Sequence, residues 1–542
     1  MKASDYIAKF LVKQGVTDAF GIPGGVVLDL LYALEKTEGI VPHLCYHEQS
    51  AGFAACGYAQ VSGRLGVAYA TRGPGFTNLI SAIADAFSDS IPVMFITGHS
   101  CMTQNPKMRV VADQEFDTCG MVKTITKYSA RIDSKEELPS ELAKAYTAAM
   151  TGRKGPVLLD IASTIWKADV ADELIAYKSD FIPFSQKDAN DIAEQIQNAR
   201  RPVFLIGDGV HQASVESHFR SLVSRAEIPV VSSRYAHDIV GDNNLYYGYI
   251  GSHGIREANF ILSKADLIIS IGNRLCFPIH SESYQSIVKR ASFIRVEIDE
   301  GELERVIPNT IVYRTDLNSF FDGMLSEEVC FGNHHEWKNT CDTIRCELHE
   351  KDLNDAVSAI EDRLRMIPDE GIVVNDVGNN EFWVSRACVH SKSNKRTLYS
   401  KSFGALGCAL GKSIGAFYAT KKTIVCFVGD QGLQMNIQEL QAIVQNKLPI
   451  TVILLNNHSS GMIKDRETLL FDGKYLHTTT DSGYGTPNFG MIAKGYGLDS
   501  SHFKEIDIDE RIGLSPQLPK GNPIQKMSPL LDESLFNELN DL

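Results

Sequence analysis

The sequence predicts an α/β protein of three doubly wound parallel-sheet domains, and three observations predict it. Short buried-strand patterns alternate with helical ones along most of the 542 residues, the pattern of parallel sheets covered by helices. Several strands end in a cluster of Gly, Pro, Asp or Asn just before a helix, as in Ile22-Pro23-Gly24-Gly25 and Thr71-Arg72-Gly73-Pro74-Gly75. Residues 425–457, VCFVGDQGLQMNIQELQAIVQNKLPITVILLNN, read as strand, helix and strand within the span of one βαβ crossover.

In chain order, residues 4–14 form an amphipathic helix with Asp5 in its first turn. Strands are expected at 18–21, 43–47, 66–71, 92–97 and 156–161, with helices at 49–62 and 77–87 between them. These make a first domain over 1–175. A second, Rossmann-like domain over 185–335 has core strands at 202–207 and 266–272, and a polar stretch at 333–351 leads out of it. The third domain, 351–510, has strands at 372–376, 423–428 and 449–455. Residues 511–542 read as an irregular tail, rich in Pro, Gly and Ser from 513 to 529. The first and third domains share a layout, consistent with an old duplication, although no residue-level repeat is visible.

Composition narrows the function. The chain is 44% hydrophobic and 22% charged with a net charge of −14. That is ordinary for a globular protein and argues against nonspecific binding to nucleic acid or an anionic membrane. The 11 cysteines show no C-x-x-C pair, which suggests reduced thiols and a cytoplasmic protein. No apolar run approaches the roughly 18 residues of a membrane span, and residues 1–16 carry no signal-peptide pattern.

Asp430 follows the first strand of the βαβ unit, and Asn457 ends the second, 27 positions later. Neighbouring parallel strands would bring both to one carboxyl edge, where open α/β sheets bind ligands. A carboxylate and an amide oxygen are hard donors suited to Mg²⁺, though Gly-Asp and Asn-Asn are equally at home in ordinary turns. Glu48, between His47 and Gln49, opens a helix of small residues. It suits an acid–base role, or simply a helix start favoured by the macrodipole. Thr71 to Asn78 is a glycine-containing strand–helix junction that could receive an anion, without the Lys-Ser/Thr of a Walker loop. Asn375-Asp376-Val377-Gly378-Asn379-Asn380 ends another strand and either meets a phosphate or caps a helix. Leu406 stands out as bulky among the glycines of LYSKSFGALGCALGKSIGA.

Taken together, FGIPGG, YHEQSAGFAACGYAQVSG, TRGPGFTNLISAIADAFSDSIPVMFITG, NDVGNN and GDQGLQMNIQEL…LLNN resemble the thiamine-diphosphate-dependent 2-oxo-acid enzymes, most closely the acetolactate synthase-like group. The resemblance covers nearly the whole chain and implies that fold, in the order pyrimidine-binding, central and diphosphate-binding domain. It implies Mg²⁺ on Asp430, Asn457 and the Ser459 carbonyl, and Glu48 on the cofactor's aminopyrimidine, supplied across a subunit interface. Further cofactor contacts are implied at Pro23, Gly24, Gly25, Pro74 and Asn78 from the first domain. From the third come Gly378, Asn379, Asn380, Gly404, Leu406, Gly429, Gln431, Gly432, Met435, Gly461 and Met462. It implies thiamine diphosphate and Mg²⁺ as cofactors and a homodimer or homotetramer. The substrates implied are a 2-oxo acid, pyruvate first, and a carbonyl acceptor.

Simple decarboxylases of this family carry a His-His pair after the ITG strand. Here His99-Ser100-Cys101 stands there, followed by Gln114 and Lys127, as in the acetolactate synthases. That resemblance favours carboligation and implies Gln114 and Lys127 as catalytic residues near the substrate, while the residues alone read equally well as a solvated loop. Gln431 departs from the family's Gly-Asp-Gly. Arg466 stands where acetolactate synthases have an acceptor-pocket tryptophan; it is either a surface charge after a helix start or suits a phosphorylated or polar acceptor. The segment LLFDGKYLHTTTDSGYGTPNFGMIAKGYG and the tail PQLPKGNPIQKMSPLLDE also resemble proteins of surface-polysaccharide and deoxysugar pathways, which implies a nucleotide-linked keto sugar as an acceptor. The family's final GPV-type strand is expected to be missing beyond Glu505, leaving a sheet edge exposed. Gly251-Ser252-His253-Gly254 and Gly272-Asn273-Arg274 resemble FAD-contacting segments, so FAD is possible. The competing expectations are a simple 2-oxo-acid decarboxylase or a non-catalytic protein of the same fold.

Overall fold

Six strands make the first sheet: β1 (Asp18–Gly21), β2 (Val41–Leu44), β3 (Gly66–Tyr69), β4 (Val93–His99), β5 (Tyr128–Ile132) and β6 (Val157–Ala162). Their order is β2-β1-β3-β4-β6-β5. The computed structural model describes residues 1–100, 108–109, 112–171, 182–251, 253–275, 291–349 and 353–513. A second sheet contains β7 (Pro202–Ile206), β8 (Val230–Ser232), β9 (Tyr246–Tyr249), β10 (Leu267–Ile271), β11 (Ser292–Glu297) and β12 (Thr310–Arg314), in the order β12-β11-β10-β7-β8-β9. The third contains β13 (Ile372–Asn375), β14 (Thr397–Leu398), β15 (Ile424–Gly429), β16 (Ile450–Asn456) and β17 (Phe503–Asp507), in the order β14-β13-β15-β16-β17. Every pairing within these sheets is parallel. Strands such as VMFITGH of β4 are buried along their whole length, as helices on both faces of a parallel sheet require. The three-sheet α/β architecture is the one the sequence predicts.

Two expected boundaries move for identifiable reasons. The strand expected at 43–47 runs from Val41 to Leu44 instead, because His47 is taken up as a helix cap. Its Nδ1 accepts from the Gln49 backbone N–H at 3.1 Å. The helix expected at 77–87 runs Pro74–Ser88, since proline suits the first helical position, where no N–H is needed.

The expectation of a missing last strand is corrected in part. β17 lies beside β16, paired from Val452↔Phe503 to Asn456↔Asp507, so the edge of β16 is covered. β17 carries Glu505 and Asp507 on its exposed positions and Lys504 half-buried, charges that keep an edge strand from pairing further. In the first sheet, Gly155-Pro156-Val157 leads into β6, which lies between β4 and β5. Among the described residues the third sheet has no counterpart between β16 and β17. The tail beyond Gly513 lies outside the described residues.

The first and third units share one apolar core, which includes Phe53, Ala54 and Phe95 of the first and Ile414, Cys426 and Leu454 of the third. The contact is made by the helix Glu48–Ser62 against the helix Ala409–Thr420. Glycines let the two backbones touch. A Cβ on Gly57 would lie 2.2 Å from the Lys412 carbonyl oxygen, and one on Gly415 would lie 1.8 Å from that of Ala54. Beside this contact Lys412 and Asp85, neither exposed, pair at 2.9 Å, and Lys412 also donates to the Tyr399 carbonyl at 2.7 Å. Burial opposes the ammonium, but Asp85 outweighs it and keeps Lys412 protonated. Ser400 donates to the other Asp85 oxygen at 2.5 Å.

Because backbone cannot yield as a side-chain tip can, Gly415→Ala is expected to destabilise the chain by about 3 kcal/mol or more. Gly495→Ala, in the helix Phe489–Tyr496 with nothing within 4 Å of the added methyl, should stabilise by about 0.5–1 kcal/mol. Guanidinium unfolding midpoints of the two variants check both signs.

Candidate active site

At the carboxyl edge of the first sheet several expected residues come together. Glu48 begins its helix, and its Oε2 accepts from Asn78 Nδ2 at 2.9 Å. The Thr71–Gly75 loop folds under it, so that a Cβ on Gly75 would lie 3.4 Å from Glu48 Oε1. Pro23, Gly24 and Gly25 follow β1 on the same edge, and a Cβ on Gly24 would meet Thr71 at 2.5 Å. Pro74 starts the helix that carries Asn78. Gln114 adopts a left-handed φ of 56° and lies against Gly73, whose Cβ would fall 2.7 Å from that of Gln114. Gly73 itself has φ 63°, so the loop needs glycine there for both reasons.

Lys127 is held elsewhere. Its ammonium donates to the Thr151 and Arg153 carbonyls at 2.8 and 2.6 Å, and burial lowers its pKa to about 8. His99 is buried, with its ring 3.9 Å from Glu115. Cys101 lies outside the described residues.

At the carboxyl edge of the third sheet, β15 and β16 are neighbours, with Gly429 opposite Leu455. Asp430 and Asn457 therefore emerge side by side and line one pocket of about 190 Å³. Gly378, Asn379, Asn380 and Leu406 line the same pocket. So do Gln431, Gly432, Ser459, Gly461 and Met462. A Cβ on Gly461 would meet the amide nitrogens of Asn457 at 2.4 Å and Asn379 at 2.7 Å, so any larger residue there would push those two side chains out of place. Gly429 also lines it, 3.3 Å (by its absent Cβ) from Asn380 Oδ1. Gly404 and Met435 stay outside, on the exposed surface. Arg466 is exposed on the helix Gly461–Leu470 and does not line the pocket.

Asp430 is only 3% exposed. Its Oδ1 accepts from the Gln431 N–H at 3.0 Å, whereas its Oδ2 is buried with no hydrogen-bond partner. Burial raises its pKa; the nearby Tyr484 hydroxyl works the other way. Asn379 Oδ1 and Ser459 Oγ are likewise buried without partners. Unpaired oxygens under desolvation are costly unless something fills them. A carboxylate oxygen beside an amide and a backbone carbonyl is a donor set that fits Mg²⁺. Among the described residues no cluster of three or more His, Cys, Asp or Glu offers a different metal site. The two asparagines divide their work: Asn456 donates to Glu505 on β17 at 2.7 Å, which leaves Asn457 to the pocket. Gln431 Oε1 accepts from Ser460 Oγ at 3.2 Å, tying the two loops across the pocket mouth.

Asp376 is a buried residue the sequence did not single out. It accepts from the backbone of Gly407 and Ala409 at 2.8 and 3.1 Å and so fixes the loop that presents Leu406. Burial raises its pKa to about 6. In sequence it reads as a strand-ending turn residue, and only the long-range fold reveals its partners.

Another pocket, of about 340 Å³, lies at the carboxyl edge of the second sheet. Gly272, Asn273 and Arg274 line it with Lys154 from the first unit and Lys401 from the third. Gly251, His253 and Gly254 do not line it, and Ser252 lies outside the described residues.

Comparison with known proteins gives a consistent result. Family models for thiamine pyrophosphate enzymes match in order: the N-terminal TPP binding domain over residues 1–121, the central domain over 189–324 and the C-terminal TPP binding domain over 376–513. The chain is 32% identical over 518 residues to acetolactate synthase isozyme 2 large subunit of Escherichia coli (strain K12), covering 94% of this chain and 92% of that one. It is 33% identical to the isozyme 1 large subunit of the same organism, over 92% of this chain and 88% of that one. To the acetolactate synthase large subunit of Lactococcus lactis subsp. lactis (strain IL1403) it is 30% identical, over 99% of this chain and 92% of that one.

A ligand role for Asp430 is tested by removing its carboxylate. Asp430→Ala is expected to weaken Mg²⁺ binding in the presence of thiamine diphosphate by about tenfold or more, measured by calorimetry. Unchanged affinity would mean that Asp430 is not a ligand.

Proposed function

The chain belongs to the thiamine pyrophosphate-dependent enzymes, in their acetolactate synthase-like group, and on that premise we propose that it decarboxylates a 2-oxo acid, pyruvate first, and joins the two-carbon unit to a carbonyl acceptor. The observation that carries this reading is the partnerless Asp430 Oδ2 beside Asn457 in the third-unit pocket. We assign Mg²⁺ to Asp430, Asn457 and the Ser459 carbonyl. The cofactor's diphosphate goes to the wall formed by Gly378, Asn379, Asn380 and Gly461. Thiamine diphosphate, when bound, supplies the nucleophilic carbon that takes up the 2-oxo acid and the electron sink into which CO₂ loss proceeds.

The protein's own residues then have three tasks. Asp430 and Asn457 hold the diphosphate end through the cation, which no carboxylate could do against a like charge unaided. Leu406, which lines the pocket on the loop braced by Asp376, would support the cofactor. Glu48, held in orientation by Asn78, would hydrogen-bond the aminopyrimidine ring and hold the proton exchanged there. Water must be kept from the reacting carbon long enough for the acceptor to arrive; Gln114, packed on the loop beside Glu48, is the residue we assign to the acceptor.

The pocket around Asp430 is lined only by residues between 377 and 463, and Glu48 contacts its own first-unit loop. Both facts support a homodimer or homotetramer in which the first unit of one subunit meets the third unit of another. Exposed Ile463, Leu470, Phe471 and Leu476 along and after the helix Gly461–Leu470, which buries no residue in the single chain, support the same reading. The acceptor is a second 2-oxo acid or a nucleotide-linked keto sugar; Arg466, exposed on the helix Gly461–Leu470 in the single chain, favours a polar one where a second subunit closes over it. FAD has a candidate seat in the pocket by Gly272, Asn273 and Arg274. A flavin absorption band in the purified protein supports it, and a colourless active enzyme removes it.

Incubation with pyruvate, thiamine diphosphate, Mg²⁺ and candidate acceptors, read by product mass, tests the function. A carboligated product is expected; an aldehyde as the sole product would leave a simple decarboxylase. Glu48→Gln should lower turnover by about a hundredfold or more while thiamine diphosphate still binds. Unchanged turnover would remove Glu48 from the chemistry.

A further inference from the structure

Arg72 precedes Gly73 in the loop that underlies the first-unit half-site. On one side of it, Gly73 lies against Gln114, 2.7 Å from its Cβ by the position of the absent methyl. On the other, Thr71 lies against Gly24 and Gly75, and Gly75 lies against Glu48 Oε1. The residue is thus between the expected cofactor contact and the expected acceptor contact.

Its side chain is mostly enclosed, 21% exposed. The acids near it are Asp113 at 3.9 Å and Glu115 at 4.0 Å, both beyond hydrogen-bond length. Neither acid depends on Arg72. Glu115 accepts from the Ser100 N–H at 2.8 Å and from Arg131 at 3.3 Å. The Asp113 side chain is 86% exposed and solvated. A guanidinium offers five N–H donors in a rigid fork, and among the described residues none of those of Arg72 is committed to a hydrogen bond. Enclosing such a group without filling its donors carries a desolvation cost, which an anion in the site would offset.

Resting on the carboligation reading, we propose that Arg72 binds the anionic group of the acceptor, setting the enzyme's preference for acceptors that carry a carboxylate or a phosphate. A planar fork matches either anion bidentately. A neutral aldehyde has nothing for it to hold. A chain of net charge −14 repels anionic substrates at long range, so a local cation in the loop beside Glu48 and Gln114 has a defined task. Arg72 is here a specificity residue: it positions the acceptor and takes no part in bond making.

The test uses the holoenzyme and the variants Arg72→Gln and Arg72→Lys, with pyruvate as donor. Three acceptors are compared: pyruvate itself for the carboxylate, glyceraldehyde 3-phosphate for the phosphate, and acetaldehyde as the neutral reference. KM and kcat are read for each product by mass. In Arg72→Gln the kcat/KM ratio of anionic to neutral acceptor should fall by about tenfold or more, through KM, and Arg72→Lys should recover part of it. The anion whose ratio falls identifies the source, carboxylate or phosphate. An unchanged ratio, or an equal loss for all three acceptors, overturns the proposal. Wild-type enzyme that releases no CO₂ from pyruvate with thiamine diphosphate and Mg²⁺ overturns the functional reading, and this inference falls with it.

Discussion

The contact between the Glu48–Ser62 helix and the Ala409–Thr420 helix is the constraint on which the rest of the molecule depends. It works only because Gly57, Gly411 and Gly415 allow backbone to meet backbone. Once the helices touch, Asp85 and Lys412 are sealed in with each other as partners. Removing one would leave an unpaired buried charge, which is far costlier than replacing both. The same junction ties down the loop that follows β14. Lys401 and Ser402 donate their backbone N–H groups to Asp89 at 2.6 and 2.8 Å, and a few residues later Asp376 holds Gly407 and Ala409. Leu406 is therefore positioned from both sides. At the start of the Glu48 helix, Ser50 donates to Asn436 at 2.8 Å, and Asn436 donates to Gln49 at 3.1 Å and to Gly407 at 3.0 Å. The acid–base candidate and the loop around the metal candidate are thus set by one network.

Electrostatics then separates groups that stabilise the fold from groups that await a ligand. Asp85, Asp376 and Glu115 are all buried, and all have donors within the chain. Asp430 Oδ2 has none. Other buried carboxylate oxygens also lack a hydrogen bond, those of Asp160 and Glu439 among them, but the one on Asp430 lies at a sheet edge beside an amide and a carbonyl. That is where a divalent cation can join it to a phosphorylated cofactor. Arg72 is the cationic counterpart on the first unit: an enclosed group whose donors are not used by the fold.

Much of this was legible in the sequence. The three-sheet architecture followed from alternating strand and helix patterns, and the shared edge of Asp430 and Asn457 followed from the length of one βαβ crossover. Glu48 and Asn78 could be placed together only through the family resemblance, since thirty residues separate them. What escaped was of two kinds. β17 is short, half-exposed and charged on alternate positions, so its hydrophobic signal is weak, and a tail rich in Pro and Gly drew attention away from it. Lys127 was assigned by its place in a motif, yet its side chain is claimed by the Thr151 and Arg153 carbonyls. Asp376 and Arg72 owe their character to partners distant in sequence, or to the lack of them, and no local pattern encodes either.

The central claim is that Glu48 and the Asp430–Asn457 pair are two halves of one cofactor site contributed by different subunits. Mixing Glu48→Gln and Asp430→Ala chains under conditions of subunit exchange tests it most directly. Each variant alone should be inactive. Random reassortment into two-fold dimers should restore about a quarter of wild-type activity, because half of the dimers are mixed and each mixed dimer has one intact site. No recovery in mixtures shown by mass to contain mixed dimers would mean that each site is built within a single chain, and would contradict the account.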